Sequence, residues 1–269
     1  MRILLCGNDE ARLVSLALKL TGASSDLSVE VLLAGTATTE FRVASRTVSE
    51  VPIHCAERSD LHPGHWHKSA SVSVRETLRS LLEGGRFDLV HVLTWRGLTR
   101  DIVATAKALG VPAVVSLEDD WANCLLSERV QPSDAAAEKP CALRHSVVAC
   151  LPCARSGEPQ TAWVPIEAEF ITFAERAGAV NAEFKLAAAI FADSQASLDR
   201  HRRLGEALID REVLIAPNSD SSVLLEAYER VVTAQEEPGN EAKEPVWYEE
   251  RMQRFAEEEW DKNCREAEA

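Results

Sequence analysis

The 269-residue chain lacks any apolar run approaching the ~20 residues that a membrane-spanning helix needs. Its amino terminus, MRILLCGNDEARL, turns charged within a few residues and has no small-residue cleavage site, so no secretory signal is expected. A cytoplasmic location with reduced thiols is the resulting expectation. Positive charge is scarce. Lys and Arg total 29 against 43 Asp and Glu, a formal charge of −14 with no local basic patch. Phosphate backbones and anionic lipid headgroups are therefore poor partners. The phosphate-cradling glycines are missing too. No G-x-G-x-x-G follows the first apolar run and no G-x-x-x-x-G-K-[ST] occurs, which argues against NAD and ATP sites. A G-x-S-x-G nucleophile elbow is also absent.

What is present is the composition of an ordinary globular protein, 46% apolar and 27% charged. Short apolar runs alternate with helical patterns. Strands are expected at Arg2–Cys6, Val29–Ala34, Phe87–Leu93, Pro112–Leu117, Ala187–Ser194 and Glu212–Ser219, with weaker ones near Phe41–Ala44 and Val51–His54. Helices are expected after the first strand, at Ala70–Leu82 with a stop at Gly84-Gly85, at Leu98–Leu109 and around Ile166–Ala177. Fully apolar strands separated by crossover helices describe a parallel sheet covered on both faces. The fold class expected is α/β, with a single Rossmann-like, doubly wound sheet over residues 1–234.

Two segments break the alternation. Residues 121–161 show little periodicity but hold four of the seven cysteines, a cysteine-rich insertion. Residues 235–269 carry 12 acidic against five basic side chains and read as an acidic linker and an amphipathic tail helix. Tyr248, Met252 and Phe255 recur there at spacings of four and three, on one helical face. That face fits packing on the domain itself or docking of a protein partner.

Cys124, Cys141, Cys150 and Cys153 form the most specific local pattern. Cys150-Leu151-Pro152-Cys153 is a C-x-x-C knuckle whose spacing lets two thiolates share one tetrahedral ion. With the other two it makes a four-thiolate set with no open position, hence a structural Zn²⁺. Unbridged or disulfide-bonded cysteines and an iron–sulfur cluster are the alternatives. Cys6, Cys55 and Cys264 have no partner pattern. His62, His65 and His67, near His54, fit either a transition-metal site or an exposed turn around Pro63-Gly64. Glu118, Asp119 and Asp120 follow one apolar strand, Trp95 and Arg96 another. Ligands of open α/β sheets bind beyond such strand ends. A carboxylate there accepts hydrogen bonds from hydroxyls or acts as a general base; Arg96 can pair an anion, and Trp95 can stack.

Four segments in order resemble the amino-terminal domain of glycosyltransferase family 4, the acceptor-side half of a GT-B fold. FDLVHVLTWRGL (Phe87–Leu98) is similar to the family's D-x-V-H-x-H strand. GVPAVVSLEDDWANC (Gly110–Cys124) is similar to G-x-P-x-V-x-T-x-H-D-x-W-x-x-C. FADSQASLDRHRRLG (Phe191–Gly205) and REVLIAPNSDSS (Arg211–Ser222) match the strand ending in serine and the V-I-P-N-G-V-D run. The resemblance implies that Glu118 stands where the family histidine meets the sugar; Trp95, Arg96, Asp119 and Asp120, at the same strand ends, are the expected acceptor contacts. A comparable cysteine set follows the D-x-W element in many members. Two departures matter: Glu118 replaces that histidine, and Gly7-Asn8-Asp9-Glu10 lacks the family's glycine-rich loop. Ser222–Val232 resembles the family's last helix and comes directly after Asn218, where members enter their donor-binding domain. The expected activity is thus a glycosyltransferase-like acceptor-side subunit. It would bind a carbohydrate-type acceptor and work with a separate nucleotide-sugar-binding partner. The competing expectation is a catalytically inactive GT-B-like scaffold.

Overall fold

A computed structural model describes residues 1–59, 70–119, 121–122, 124, 130–131, 139–140, 148, 150, 166–204, 208, 211–216 and 220–236. The elements begin β1 (Arg2–Gly7), α1 (Glu10–Ala23), β2 (Ser28–Ala34), β3 (Arg42–Val48), β4 (Val51–Glu57) and α2 (Val72–Gly85). They continue with β5 (Leu89–Val92), α3 (Ile102–Ala108), β6 (Ala113–Leu117) and the two-residue strands β7 (Val130–Gln131) and β8 (Lys139–Pro140). The last are α4 (Ile166–Leu186), β9 (Ala189–Ala192), α5 (Gln195–Leu204), β10 (Leu214–Ile215) and α6 (Ser221–Glu236).

Eight strands form one sheet in the order β10-β9-β6-β5-β1-β2-β4-β3. All neighbours are parallel except β3 and β4. The register at the centre sets Cys6 beside Leu32 on β2 and Val92 on β5. From β1 the chain winds out through β2 and β4, then returns to β5 on the other flank of β1. The topological switch point lies between β1 and β5, as a doubly wound α/β sheet requires.

Alternation along β1 explains the layers. Ile3 and Leu5 join a core beneath α1 and α6, while Leu4 and Cys6 join a second core beneath α2, α3, α4 and α5. Each large apolar side chain so buried contributes roughly 1.5–3 kcal/mol. Cys6 and Cys55 are buried members of these cores.

The deviations from expectation have local causes. Helix α2 runs through Gly84 and Gly85 and is capped by Arg86 in the left-handed region (φ 50°). The helix thus stops at the glycine pair, with the Phe87 ring seated closely against Gly85. Helix α3 begins at Ile102, since Trp95–Leu98 close a turn (3.0 Å) and Asp101 forms the N-cap. Helix α4 continues to Leu186, nine residues beyond Ala177, on a buried stripe that includes Val180 and Phe184. The weak region before α2 is a β3–β4 hairpin whose turn residues, Ser49 and Glu50, both take positive φ. Such a turn normally advertises itself by Asn or Gly, which this one lacks. Among the described residues, no helix is long and apolar enough to cross a membrane. Of the expected tail, only its first two residues, at the end of α6, are described.

Candidate functional site

The carboxyl ends of β1, β5 and β6 open into a cleft of about 570 Å³. Its walls are the β1–α1 loop from Gly7 to Leu13, then Leu93, Thr94 and Arg96 after β5, and Glu118 and Asp119 after β6. The chain folds this way locally for identifiable reasons. Asp9 caps α1 by accepting the Arg12 N–H at 3.0 Å, which fixes the loop and orients Arg12 across the cleft. Gly97 holds φ +75°, and a Cβ there would meet the Ala34 methyl at 2.9 Å. Glycine is therefore required for the turn that presents Arg96.

Glu118 and Asp119 do converge in this cleft. Glu118 is nearly buried (7% exposed) and pairs with Arg12 at 3.1 Å. The Asp119 carboxylate accepts from the Thr94 hydroxyl at 2.8 Å and from the Trp121 N–H at 3.0 Å. Thr94 in turn accepts the Arg96 N–H at 3.1 Å, so the loops after β5 and β6 are tied into one polar unit. The Arg96 side chain is exposed at the rim. His201, fully buried on α5, has its Nε2 3.1 Å from the Asp119 carbonyl and its Nδ1 2.9 Å from the Ser197 carbonyl, anchoring that loop from behind. Sequence reading did not single out Arg12, Thr94 or His201. Arg12 carried a usable signal, since it lies three residues after an N-cap aspartate at a strand-to-helix junction.

Trp95 takes a different place from Arg96. It is 4% exposed, stacked on Trp121 at 5.9 Å and edge-on to Phe184 at 5.6 Å. Its Nε1–H donates to Glu183 at 3.0 Å. The indole supports the cleft from the core and offers it no open ring face. Asp120 lies outside the described residues.

Glu183 and His91 are buried ionisable groups behind this site. Glu183, on α4, also accepts the backbone N–H groups of Val103 (2.6 Å) and Ala104 (2.9 Å) at the start of α3. Burial pushes its carboxyl up to about 8, against those donors, which favour the charged form. His91, on β5, sits between the Ser116 hydroxyl (2.7 Å from Nε2) and the Tyr228 hydroxyl (2.6 Å from Nδ1). Burial lowers its pKa to about 3, so the ring is neutral. Both are fully enclosed and act on the architecture.

Of the cysteine set, Cys124 and Cys150 are described, half-buried, and both act on the charge of Arg176 in α4. Cys141 and Cys153 lie outside the described residues, as do His62, His65 and His67. Among the described residues, no group of three or more His, Cys, Asp and Glu side chains is placed to hold a metal. The two described thiols are soft donors of the kind that zinc-type ions favour. His54 is committed to the sheet, 2.9 Å from Glu30 and 3.2 Å from Ser45. Burial raises the Glu30 carboxyl, but hydrogen bonds from His54 and Arg2 outweigh it and lower the pKa overall.

No protein-family model and no curated protein sequence matches the chain. Among solved structures, the chain is similar to the UDP-GlcNAc 2-epimerase of Neisseria meningitidis bound to UDP-GlcNAc, with 13% identity and a TM-score of 0.41 over 87% of this chain and 53% of that one. It is similar to the UDP-GlcNAc 2-epimerase of Methanocaldococcus jannaschii, with 9% identity and a TM-score of 0.37 over 86% and 50%. A UDP-forming trehalose-phosphate synthase of Burkholderia xenovorans shares 9% identity at a TM-score of 0.34, over 74% and 40%. The chain thus spans about half the length of the two epimerases.

Proposed function

We propose that the chain is the acceptor-side half of a glycosyl-transferring assembly. A carbohydrate-type acceptor occupies the switch-point cleft, and a separate partner supplies the nucleotide-sugar. The observation that carries this reading is the cleft itself, at the topological switch point, where Glu118, Asp119 and Arg96 meet from two adjacent strand ends. The resemblance of Gly110–Cys124 and its flanking segments to glycosyltransferase family 4 supports the same assignment. Arg96 would donate hydrogen bonds to sugar hydroxyls and the carboxylates of Glu118 and Asp119 would accept them, with Asp120 next in the sequence. Glu118 is the residue proposed to take the acceptor proton, once the acceptor displaces Arg12 from it. Cys124, Cys141, Cys150 and Cys153 would hold a structural zinc ion that stabilises the irregular segment and takes no part in the transfer.

The test is direct. Saturation-transfer NMR of the full chain against a panel of mono- and oligosaccharides should show binding that Arg96→Ala abolishes without changing the unfolding transition. Two purified proteins, this chain and a captured nucleotide-sugar-binding partner, should then restore transfer that neither performs alone. Binding of no saccharide and no restored transfer would overturn the assignment.

A second reading, a non-catalytic binding module on the same fold, is favoured by one observation. Glu118 is already ion-paired with Arg12, and both oxygens of Asp119 are occupied. Saccharide binding without any restored transfer would support that reading instead.

A further inference from the structure

A second constellation lies on the sheet itself, and none of its members lines the cleft. The two-residue loop Ser49-Glu50 makes Val48 and Val51 a hydrogen-bonded pair of the β3–β4 hairpin. Pairs alternate along an antiparallel ladder, so Ser45 and His54 form a pair without ladder hydrogen bonds, the kind whose side chains stand closest. The Ser45 Oγ lies 3.2 Å from His54 Nδ1. On the next strand, β2, Glu30 places Oε2 2.9 Å from His54 Nε2. Arg2 on β1 holds the other carboxylate oxygen, donating from Nε at 3.1 Å. Exposure falls in the same order: Ser45 is exposed, the His54 side chain is 18% exposed and the Glu30 side chain 11%. The proton inventory then fixes the direction of each bond. Burial works against the Glu30 charge, but hydrogen bonds from His54 and Arg2 outweigh it, so Glu30 is a carboxylate and accepts only. In the neutral ring, Nε2 therefore carries the hydrogen and Nδ1 the lone pair, to which the Ser45 hydroxyl donates.

We propose that Ser45, His54 and Glu30 form a second reactive centre, a nucleophile–base–carboxylate relay that cleaves small or surface-presented carboxylic esters through an acyl-serine. A serine hydroxyl is a weak nucleophile until a base within hydrogen-bond reach takes its proton and a third group orients that base. Here the base meets the serine through Nδ1 and the carboxylate through Nε2, and either ring nitrogen can serve either role. The Ser45 oxygen attacks the ester carbonyl while its proton passes to His54 Nδ1, and Glu30 stabilises the imidazolium so formed. The ester C–O bond then breaks, and His54 returns that proton to the departing alcohol. Water attacks the acyl-serine with His54 again as base, releasing the carboxylic acid and restoring Ser45. The alternation of the ladder also turns the Ser45 N–H toward the outer edge of the sheet, where β3 is the last strand among the described residues. That N–H is the main-chain donor nearest in sequence to the developing oxyanion. The serine stands on an exposed strand, which fits esters presented from solution. This centre is independent of the reading given to the cleft.

The experiment treats the full chain with a fluorophosphonate, whose phosphorus takes the serine oxygen as fluoride leaves. The wild type should take up about one equivalent. Peptide mapping by mass spectrometry should place it on Ser45 and not on Thr47, an exposed hydroxyl on the same face of β3 with no histidine opposite it. Both hydroxyls are read in one molecule, so this comparison needs no variant. Ser45→Ala, at an exposed position, should abolish both the labelling and the turnover of p-nitrophenyl acetate. His54→Ala should slow the labelling by about 100-fold or more, the usual contribution of a positioned base, and Glu30→Gln should slow it as well. No labelling, labelling spread evenly over Ser45 and Thr47, or a rate at Ser45 indifferent to His54→Ala in a folded chain overturns the proposal. Labelling of Ser45 without turnover of the acetate overturns the hydrolytic step alone.

Discussion

The two faces of the sheet bury ionisable side chains of opposite habit. Under α1 and α6, His91 is held neutral between Ser116 and Tyr228, a polar pin between strand and helix in an otherwise apolar layer. Under α3 and α4, Glu183 gathers three N–H donors from Trp95, Val103 and Ala104, and Arg176 is buried against Trp121. One face closes its core with a neutral relay. The other gathers ionisable groups around the stacked pair of Trp95 and Trp121. Burial penalises the charged form on both faces, so the histidine falls and the carboxyl rises. The two faces therefore respond to pH in opposite senses.

Removing Glu183 should break the comparison most severely. Glu183→Ala leaves three buried N–H groups without an acceptor at the start of α3, and should cost about 3–5 kcal/mol by urea unfolding. Next comes the pH profile. His91 has its folded-state pKa below the ordinary histidine value, so its contribution is complete above about pH 6.5 and is lost as pH falls toward 3. Glu183 has its folded-state pKa above the ordinary carboxylate value, so its contribution is complete below about pH 4.5 and is lost as pH rises through 8. Each limb has a slope of at most about 1.4 kcal/mol per pH unit. Urea titrations of His91→Gln and Glu183→Gln should flatten the acid and the alkaline limb respectively; a profile unchanged by either variant would refute the opposition. Tyr228→Phe, which removes one hydroxyl from the His91 pin, should cost about 1–2 kcal/mol and spare the pH response of Glu183. The smallest effect belongs to the cleft rim. Asp9→Ala removes the α1 cap at about 1 kcal/mol and should loosen the Arg12–Glu118 pair, read as faster amide exchange at the start of α1.

Legibility followed periodicity. The apolar runs around Leu4, Val31, Val90 and Val114 announced central parallel strands, because a strand covered on both faces admits hardly any polar residue. The β3–β4 hairpin was faint because β3 is largely exposed, so its alternation has little apolar content to display. Glu118, Asp119 and Arg96 are legible as residues at strand ends, and the three line one cleft. Trp95 shared that position yet turned inward, because Glu183 and Phe184, some 88 residues later, supply its hydrogen bond and its edge contact. Nothing local to Trp95 records that choice.

By itself, the order of residues determined the α/β class, the winding of a parallel sheet and the strand ends from which a cleft could be built. Those follow from hydrophobic spacing and turn chemistry, which act within a few residues. Only the tertiary structure decided which polar groups meet. The Arg12–Glu118 pair, the Thr94–Asp119–Trp121 unit, the Tyr228–His91–Ser116 relay and the seat of Arg176 each join residues far apart in the chain. A buried charge or donor is stable only where a distant element brings its partner, and sequence spacing does not encode that distance.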